Sequence, residues 1–142
     1  MTEHSTQSAI LDLIRLRGGV ATRVNSGSAI FKRDGKTQVI KGADKGTSDI
    51  IALYKGVYLA IEVKFGKGKP TPEQIAFLES VANAGGVGLV AYDIDVINDV
   101  LKAIDQSCAG TGYSIRWNID FTVHPVFGNK VFVRCEPDYL EA

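Results

Sequence analysis

Residues 46 to 64 form the most informative stretch of the chain, and they read GTSDIIALYKGVYLAIEVK. Two runs within it, Ser48 to Tyr54 and Val57 to Phe65, are rich in Ile, Val, Leu and Tyr, as buried β-strands are. The dipeptide Lys55-Gly56 between them is typical of a tight turn. The pattern therefore predicts a β-hairpin whose two strands are largely buried.

Three ionisable side chains, Asp49, Glu62 and Lys64, lie in or beside these apolar strands. Charged side chains are rarely buried unless they are paired or bind a metal. Alternation along a strand puts Glu62 and Lys64 on one face and Ile61 and Val63 on the other. If the strands pair as a hairpin, Asp49 starts the first strand close to the end of the second. We therefore expect two acids and a lysine to cluster at one end of a sheet.

Such a cluster favours a bound cation. Two carboxylates about 4 Å apart repel by roughly 4 kcal/mol at an effective dielectric constant near 20. Protonation of one carboxylate, pairing with Lys64 or binding of a divalent ion would relieve this repulsion. Oxygen ligands with open positions suit Mg²⁺ or Mn²⁺, and a neighbouring lysine can hold a water or stabilise charge on a phosphate. A purely structural ion pair between Glu62 and Lys64 explains the spacing equally well.

Several sequence elements between residues 3 and about 97 occur in the same order as in a known family. They are Glu3 and Gln7 in a first helix, RVNSG at 23–27, GTSD at 46–49, EVK at 62–64 and TPEQ at 71–74. In this order they resemble the VRR-NUC (virus-type replication-repair nuclease) domain of the PD-(D/E)XK nuclease superfamily. Ser48 stands where the superfamily usually has proline, which is normal for this branch. The match is specific because all the elements occur together.

The resemblance implies a role for each matching residue of the cluster. Asp49, Glu62 and the main-chain carbonyl of Val63 would hold Mg²⁺ or Mn²⁺. Lys64 would position or activate the water that attacks the phosphate.

Two helix residues receive further roles from the same resemblance. Glu3 would reach the metal or its water shell, and Gln74 would orient Lys64 or contact a phosphate. Without the resemblance, Glu3 is equally a solvated residue in the first turn of a helix. Likewise, Gln74 is equally a polar position on an amphipathic helix.

The charges are unevenly distributed although the net charge is +0. Residues 1–70 contain 12 Lys and Arg against 6 Asp and Glu, a balance of +6, and residues 71–142 carry the compensating −6. Such an asymmetry is often only a solvated face. Beside a metal site it favours a polyanionic substrate. The candidate DNA-binding residues are Arg23, Lys41, Lys45, Ser48, Lys67 and Lys69, and Lys32, Arg33 and Lys36 extend the same phosphate track.

The remaining pattern predicts an α/β fold in which a mixed central sheet is flanked by helices, and the resemblance implies that this is the PD-(D/E)XK restriction-endonuclease-like core. Apolar periodicity and turn residues predict helices at Ser5–Arg17, Pro72–Ala84 and Ile94–Ile104 and further strands at Val20–Ser26, Ser28–Lys32, Thr37–Ile40 and Val87–Tyr92. Asp34-Gly35 is the predicted hairpin turn before Thr37, and Thr71 is the predicted N-cap of the second helix.

We expect a nuclease core over residues 1–106. Residues 107–142 form a β-rich C-terminal extension packed on the same domain, with short strands at Tyr113–Trp117, Phe121–Val126 and Lys130–Cys135. The extension could lengthen the sheet, cap an exposed edge or form a dimer contact.

The composition indicates the cellular compartment in which we expect the protein. No apolar run approaches the ~20 residues that span a bilayer, and the first residues lack the apolar stretch of a signal peptide. The two cysteines, Cys108 and Cys135, do not form a disulfide framework. We therefore expect no membrane association and a reducing cytoplasm. An enzyme of the kind that the resemblance implies suits a bacterial or phage-infected cell.

Together these features predict a Mg²⁺- or Mn²⁺-dependent endonuclease that hydrolyses DNA phosphodiester bonds. The resemblance implies selectivity for branched DNA such as Holliday junctions, and a homodimer with two sites. Three alternatives stay open: a nuclease without structure selectivity, a non-catalytic DNA-binding module of a replication or repair complex, and a structural domain whose charged trio is an ion-pair network.

Overall fold

The computed structural model describes residues 2–25, 28–108 and 129–133. Five consecutive strands follow the first helix, and helices and strands alternate only after them. The elements are α1 (Glu3–Leu16), β1 (Val20–Arg23), β2 (Ser28–Arg33), β3 (Lys36–Lys41), β4 (Ile50–Tyr54), β5 (Val57–Val63), α2 (Pro72–Asn83), β6 (Val87–Ala91), α3 (Asp95–Cys108) and β7 (Lys130–Val133).

A five-stranded sheet with the order β1-β4-β5-β6-β7 forms the centre of the fold. Strand β5 pairs antiparallel with β4 and parallel with β6, so the sheet is mixed. Residues of α1 and α3 pack on one face, whereas α2 packs on the other. The predicted α/β class, with a mixed central sheet flanked by helices, is confirmed.

Strand β5 lies at the middle of this sheet and is buried on both faces. Leu59, Ile61 and Val63 face the core made with α1 and α3, whereas Ala60 packs against α2. Full burial of each large aliphatic side chain contributes about 1.5–3 kcal/mol to folding. The hairpin of β4 and β5 was predicted from the sequence, and its register pairs Ile50 with Ile61.

Helix α1 begins at Glu3, two residues earlier than predicted. The predicted start, Ser5, lies inside the first turn, where it forms a capping box with Thr2. The sequence prediction was wrong because serine suits both the cap and its reciprocal partner. In α2 the side chain of Thr71 caps the helix as predicted, and Pro72 occupies the first turn.

Strands β2 and β3 form a separate two-stranded sheet, as the turn Asp34-Gly35 predicted. Both turn residues have positive φ, 53° and 73°, as the tightest hairpin turns require.

Strand β7 extends the main sheet by pairing antiparallel with β6. This confirms one predicted strand of the C-terminal extension over its described part, Lys130–Val133. The last two residues of that prediction, 134 and 135, lie outside the described residues. The predicted strands Tyr113–Trp117 and Phe121–Val126 lie outside the described residues. Within the described ranges, no helix is both long and apolar enough to cross a membrane.

Gly46 holds the loop before Asp49 against the start of α2. Its φ is +91°, and an added Cβ would lie 2.7 Å from the carbonyl oxygen of Glu73. Gly85 offers a matched control, because its φ is +101° and nothing lies within 4 Å of the added Cβ.

We expect Gly46→Ala to lower the free energy of unfolding by more than Gly85→Ala does. Both variants carry the cost of alanine at positive φ, about 1–2 kcal/mol, and only Gly46→Ala adds a steric clash of about 1–3 kcal/mol. Urea unfolding of the two variants measures the difference. Equal losses would contradict the close packing of this loop on α2.

Candidate active site

Asp49 and Glu62 meet where the β4–β5 hairpin ends. Continuing the register of Ile50 with Ile61 by one step puts Asp49 opposite Glu62. The carboxylate oxygen Oδ2 of Asp49 accepts a hydrogen bond from the Val63 N–H at 2.9 Å. The Asp49 side chain therefore replaces a main-chain acceptor at the end of the ladder, and this fixes its orientation.

Glu62 is a buried carboxylate with one oxygen left without a partner. The residue is only 1% exposed. Its Oε1 lies 3.3 Å from Nζ of Lys64. Its Oε2 is buried and has no hydrogen-bond partner among the described residues. As the alternation predicted, Glu62 and Lys64 share a face, and Ile61 and Val63 point into the opposite core.

The cluster remains open to solvent on one side. Asp49 is half-buried, and the Lys64 side chain keeps 15% of its surface exposed. The next residues, 65–69, are all exposed. A substrate phosphate can therefore approach from the side of Asp49 and Lys64, although Glu62 itself lies deeper.

Burial and the neighbouring charge of Asp49 raise the pKa of the Glu62 carboxyl to about 7. The ammonium group of Lys64 lowers this pKa but does not restore the ordinary value. Desolvation penalises an ionised carboxylate, and a second carboxylate nearby adds repulsion. The cluster is therefore short of positive charge when both acids are ionised.

A divalent cation fits this deficit. The unpartnered Oε2 of Glu62 and the Asp49 carboxylate are hard oxygen donors of the kind that Mg²⁺ and Mn²⁺ prefer. The N–H and C=O of one strand residue point to the same side, so the Val63 carbonyl lies on the Asp49 side. Across the described ranges, no three Asp, Glu, His or Cys residues form a metal-binding group. The donor set would consist of two carboxylates, a carbonyl, water and phosphate.

The first helix contributes a contact network at the same end of the sheet. The Arg23 guanidinium donates to Oε1 of Gln7 at 3.2 Å and to Oγ of Ser8 at 2.7 Å. Arg23 therefore ties β1 to α1, and a DNA phosphate would have to share its guanidinium. Glu3 lies in the exposed first turn of α1, and within the described residues it has no hydrogen bond or ion pair with the cluster. The role predicted for Glu3 remains a prediction.

Gln74 serves first as a helix cap. Its Oε1 accepts a hydrogen bond from the Thr71 N–H at 2.8 Å. In return, Thr71 Oγ1 accepts one from the Gln74 N–H at 3.2 Å. The amide oxygen is therefore used by the start of α2, and a contact with Lys64 or a phosphate remains a prediction.

The candidate DNA-binding residues fall into two groups. Lys41, Lys67 and Lys69 are exposed, and so is Lys45, which lies 3.6 Å from the Glu73 carboxylate. Ser48 differs because its side chain is completely buried, and its hydroxyl has no partner within the described residues. The expected contact between Ser48 and DNA does not fit this position.

Tyr92 is a site residue that the sequence did not reveal. Its hydroxyl donates to the carbonyl oxygen of Gly68 at 2.7 Å, and this bond holds the basic loop of Lys67 and Lys69. Its N–H donates to Oδ1 of the buried Asn129 at 2.8 Å. Tyr92 and Gly68 are distant in sequence, and no local pattern signals a contact of this kind.

No protein-family model matches the chain, and no curated protein sequence matches it.

The stability of the metal-free protein should depend on the ionisation of Glu62. Because its folded pKa is raised from 4.5 to about 7, the protonated form stabilises the fold at low pH. This contribution is complete below the unfolded value and is lost as pH rises through about 7, at a cost of roughly 1–3 kcal/mol. We expect Glu62→Gln to flatten this dependence, measured as thermal unfolding between about pH 5 and 8.

Mn²⁺ should raise the unfolding midpoint of the wild type more at the alkaline end of this range, because the cation competes with the proton for Glu62. An equal pH slope in Glu62→Gln would contradict the assignment.

Proposed function

We propose that this protein is a Mg²⁺- or Mn²⁺-dependent DNA endonuclease with a PD-(D/E)XK-type core. The single observation that carries the proposal is the meeting of Asp49, Glu62 and Lys64 at one sheet end, with the buried Oε2 of Glu62 left unpartnered. This is the combination that phosphodiester hydrolysis needs: oxygen ligands for a cation and a cationic side chain beside them.

Each residue of the cluster has a separate task in this proposal. Asp49, Glu62 and the Val63 carbonyl would hold the cation, which would supply Lewis-acid neutralisation of charge on the phosphate and on the leaving oxygen. The Lys64 ammonium holds the attacking water in line with phosphorus, or stabilises the negative charge that develops on the phosphate. A bond forms between the water oxygen and phosphorus while the bond from phosphorus to the leaving oxygen breaks. The attacking water loses a proton to solvent, and the leaving oxygen takes one up from solvent.

A purely structural ion pair explains less of the site. The 3.3 Å contact between Glu62 and Lys64 is compatible with such a pair. However, a structural pair gives no reason for a second carboxylate beside Glu62, or for a buried oxygen without a partner. Buried polar groups in folded proteins are almost always satisfied, so the unpartnered Oε2 of Glu62 supports a further ligand there.

The exposed lysines around the cluster support a nucleic acid as the substrate. The exposed Lys67 and Lys69 lie on a loop next to Lys64, and Lys41 lies before the loop that leads to Asp49. Such cations suit the phosphates of a nucleic acid. We further propose selectivity for branched DNA such as Holliday junctions, action as a homodimer that carries two sites, and a place in the cytoplasm of a bacterial or phage-infected cell.

Cleavage of a DNA panel tests the proposal. We expect the wild type to cut a four-way junction in Mg²⁺ or Mn²⁺ faster than a flap or a linear duplex. Lys64→Ala should reduce cutting by about 10²–10⁴-fold while DNA binding stays within about twofold, because positioning of water or charge is lost and the phosphate contacts remain. Lys102→Ala, which removes an exposed cation of α3, is the matched control and should cut normally.

Loss of Lys64 leaves Glu62 without its partner, so folding must be checked by thermal unfolding. Glu62→Gln preserves the side-chain shape, removes the ligand charge and should also abolish cutting. Equal rates on all three DNAs would remove the claim for branched DNA. Binding without cutting, in either metal, would favour a non-catalytic DNA-binding module.

A further inference from the structure

No other part of the chain that the structure describes covers the β2–β3 hairpin. Every residue from 30 to 42 is exposed. Ile30 and Val39, which are cross-strand partners, are 72% and 63% exposed. An isolated two-stranded hairpin is marginally stable in water, and exposed apolar side chains that lie together usually mark a contact surface. The hairpin therefore has the character of a binding element.

The hairpin starts and ends beside the candidate active site. Before it, the Val24 N–H donates to the carbonyl oxygen of Asp49 at 2.8 Å. After it, the Ala43 N–H donates to the carbonyl oxygen of Asn25 at 2.9 Å and closes its base. Each strand has six residues. At about 3.3 Å per residue, the tip lies about 20 Å from this base.

The charge of the hairpin is strongly positive. Between Ser28 and Lys41 it carries Lys32, Arg33, Lys36 and Lys41 against the single acid Asp34. The register puts Arg33 directly opposite Lys36 at the tip. Like charges in directly opposite positions destabilise a strand pair. Within the described ranges no carboxylate forms a salt bridge with either residue. An anion bound between them would remove this repulsion.

We propose that the β2–β3 hairpin is an arm that lies along duplex DNA, with Arg33 and Lys36 at its tip bound to backbone phosphates. A two-stranded β-ribbon fits the major groove, which is about 12 Å wide. The apolar pair Ile30 and Val39 then contacts the groove wall. The arm holds the DNA about 20 Å from the cluster, roughly six base pairs at ~3.4 Å per pair. The choice of DNA as the polyanion rests on the proposed function.

Salt-dependent DNA binding tests the arm without any need for cleavage. The binding constant K for a linear duplex is measured with the full chain in EDTA at a series of NaCl concentrations. The wild type is compared with Lys36→Gln and with the double variant Arg33→Gln/Lys36→Gln. The matched control, Lys102→Gln, removes one exposed cation from α3. Each lost phosphate contact should reduce the slope of log K against log [salt] by about 0.9. At about 0.1 M salt this corresponds to a loss of about eightfold for Lys36→Gln and about 60-fold for the double variant.

Thermal unfolding checks that the variants fold, and relief of the repulsion at the tip should leave their midpoints equal to that of the wild type or higher. If the salt slopes of Lys36→Gln and of the double variant equal those of the wild type and Lys102→Gln, the proposal of a DNA-binding arm is overturned. An unchanged slope together with a shift from dimer to monomer in sedimentation would also overturn it, and would make the hairpin a contact between copies of the chain.

The two proposals can fail separately. If the wild type binds DNA with a steep salt slope that the double variant reduces, but cuts no DNA in Mg²⁺ or Mn²⁺, the DNA-binding arm is supported and the nuclease activity is contradicted. If the wild type cuts DNA but its salt slope does not depend on Arg33 and Lys36, the nuclease activity is supported and the arm is contradicted. A wild type that binds no DNA overturns both.

Discussion

The burial of Glu62 in the central strand is the constraint on which the rest of the site depends. Strand β5 is covered by helices on both faces and lies between β4 and β6, so a carboxylate near its end cannot be fully hydrated. Desolvation and the charge of Asp49 together raise the pKa of Glu62, and Lys64 only partly offsets them. A buried acid in this state is costly when it is ionised, so it either keeps its proton or takes a positive charge beside it. The proposed cation would relieve a charge deficit that the packing of the sheet creates.

The end of β5 also explains how the cluster is held rigidly. The Val63 N–H binds the Asp49 side chain, whereas the Lys64 N–H still binds the carbonyl oxygen of Ala91 in β6 at 2.9 Å. The strand therefore leaves β4 one residue before it leaves β6. This offset aims Asp49, Glu62 and Lys64 at one another from a fixed main chain. Groups that are fixed before the substrate arrives need no reorganisation during the reaction.

The exposed cations and the buried cluster would have separate tasks in the proposed enzyme. The cations of the loop after Lys64 and of the β2–β3 hairpin are exposed, where phosphates could reach them. Tyr92 links the loop after Lys64 to Asn129. Its hydroxyl donates a hydrogen bond to the Gly68 carbonyl, and its N–H donates one to Oδ1 of the buried Asn129. A residue of the C-terminal segment thereby supports the position of a basic loop close to the candidate active site.

The sequence by itself determined the elements that rest on local chemistry: the β4–β5 hairpin, the Asp34-Gly35 turn, the Thr71 cap and the shared face of Glu62 and Lys64. Alternation, turn residues and capping act over a few positions, so they can be read from the order of residues. Only the tertiary structure decided that Ser48 is buried, that Arg23 binds α1 and that Tyr92 reaches Gly68. These features depend on which surfaces meet after distant segments pack, and no local pattern contains that information.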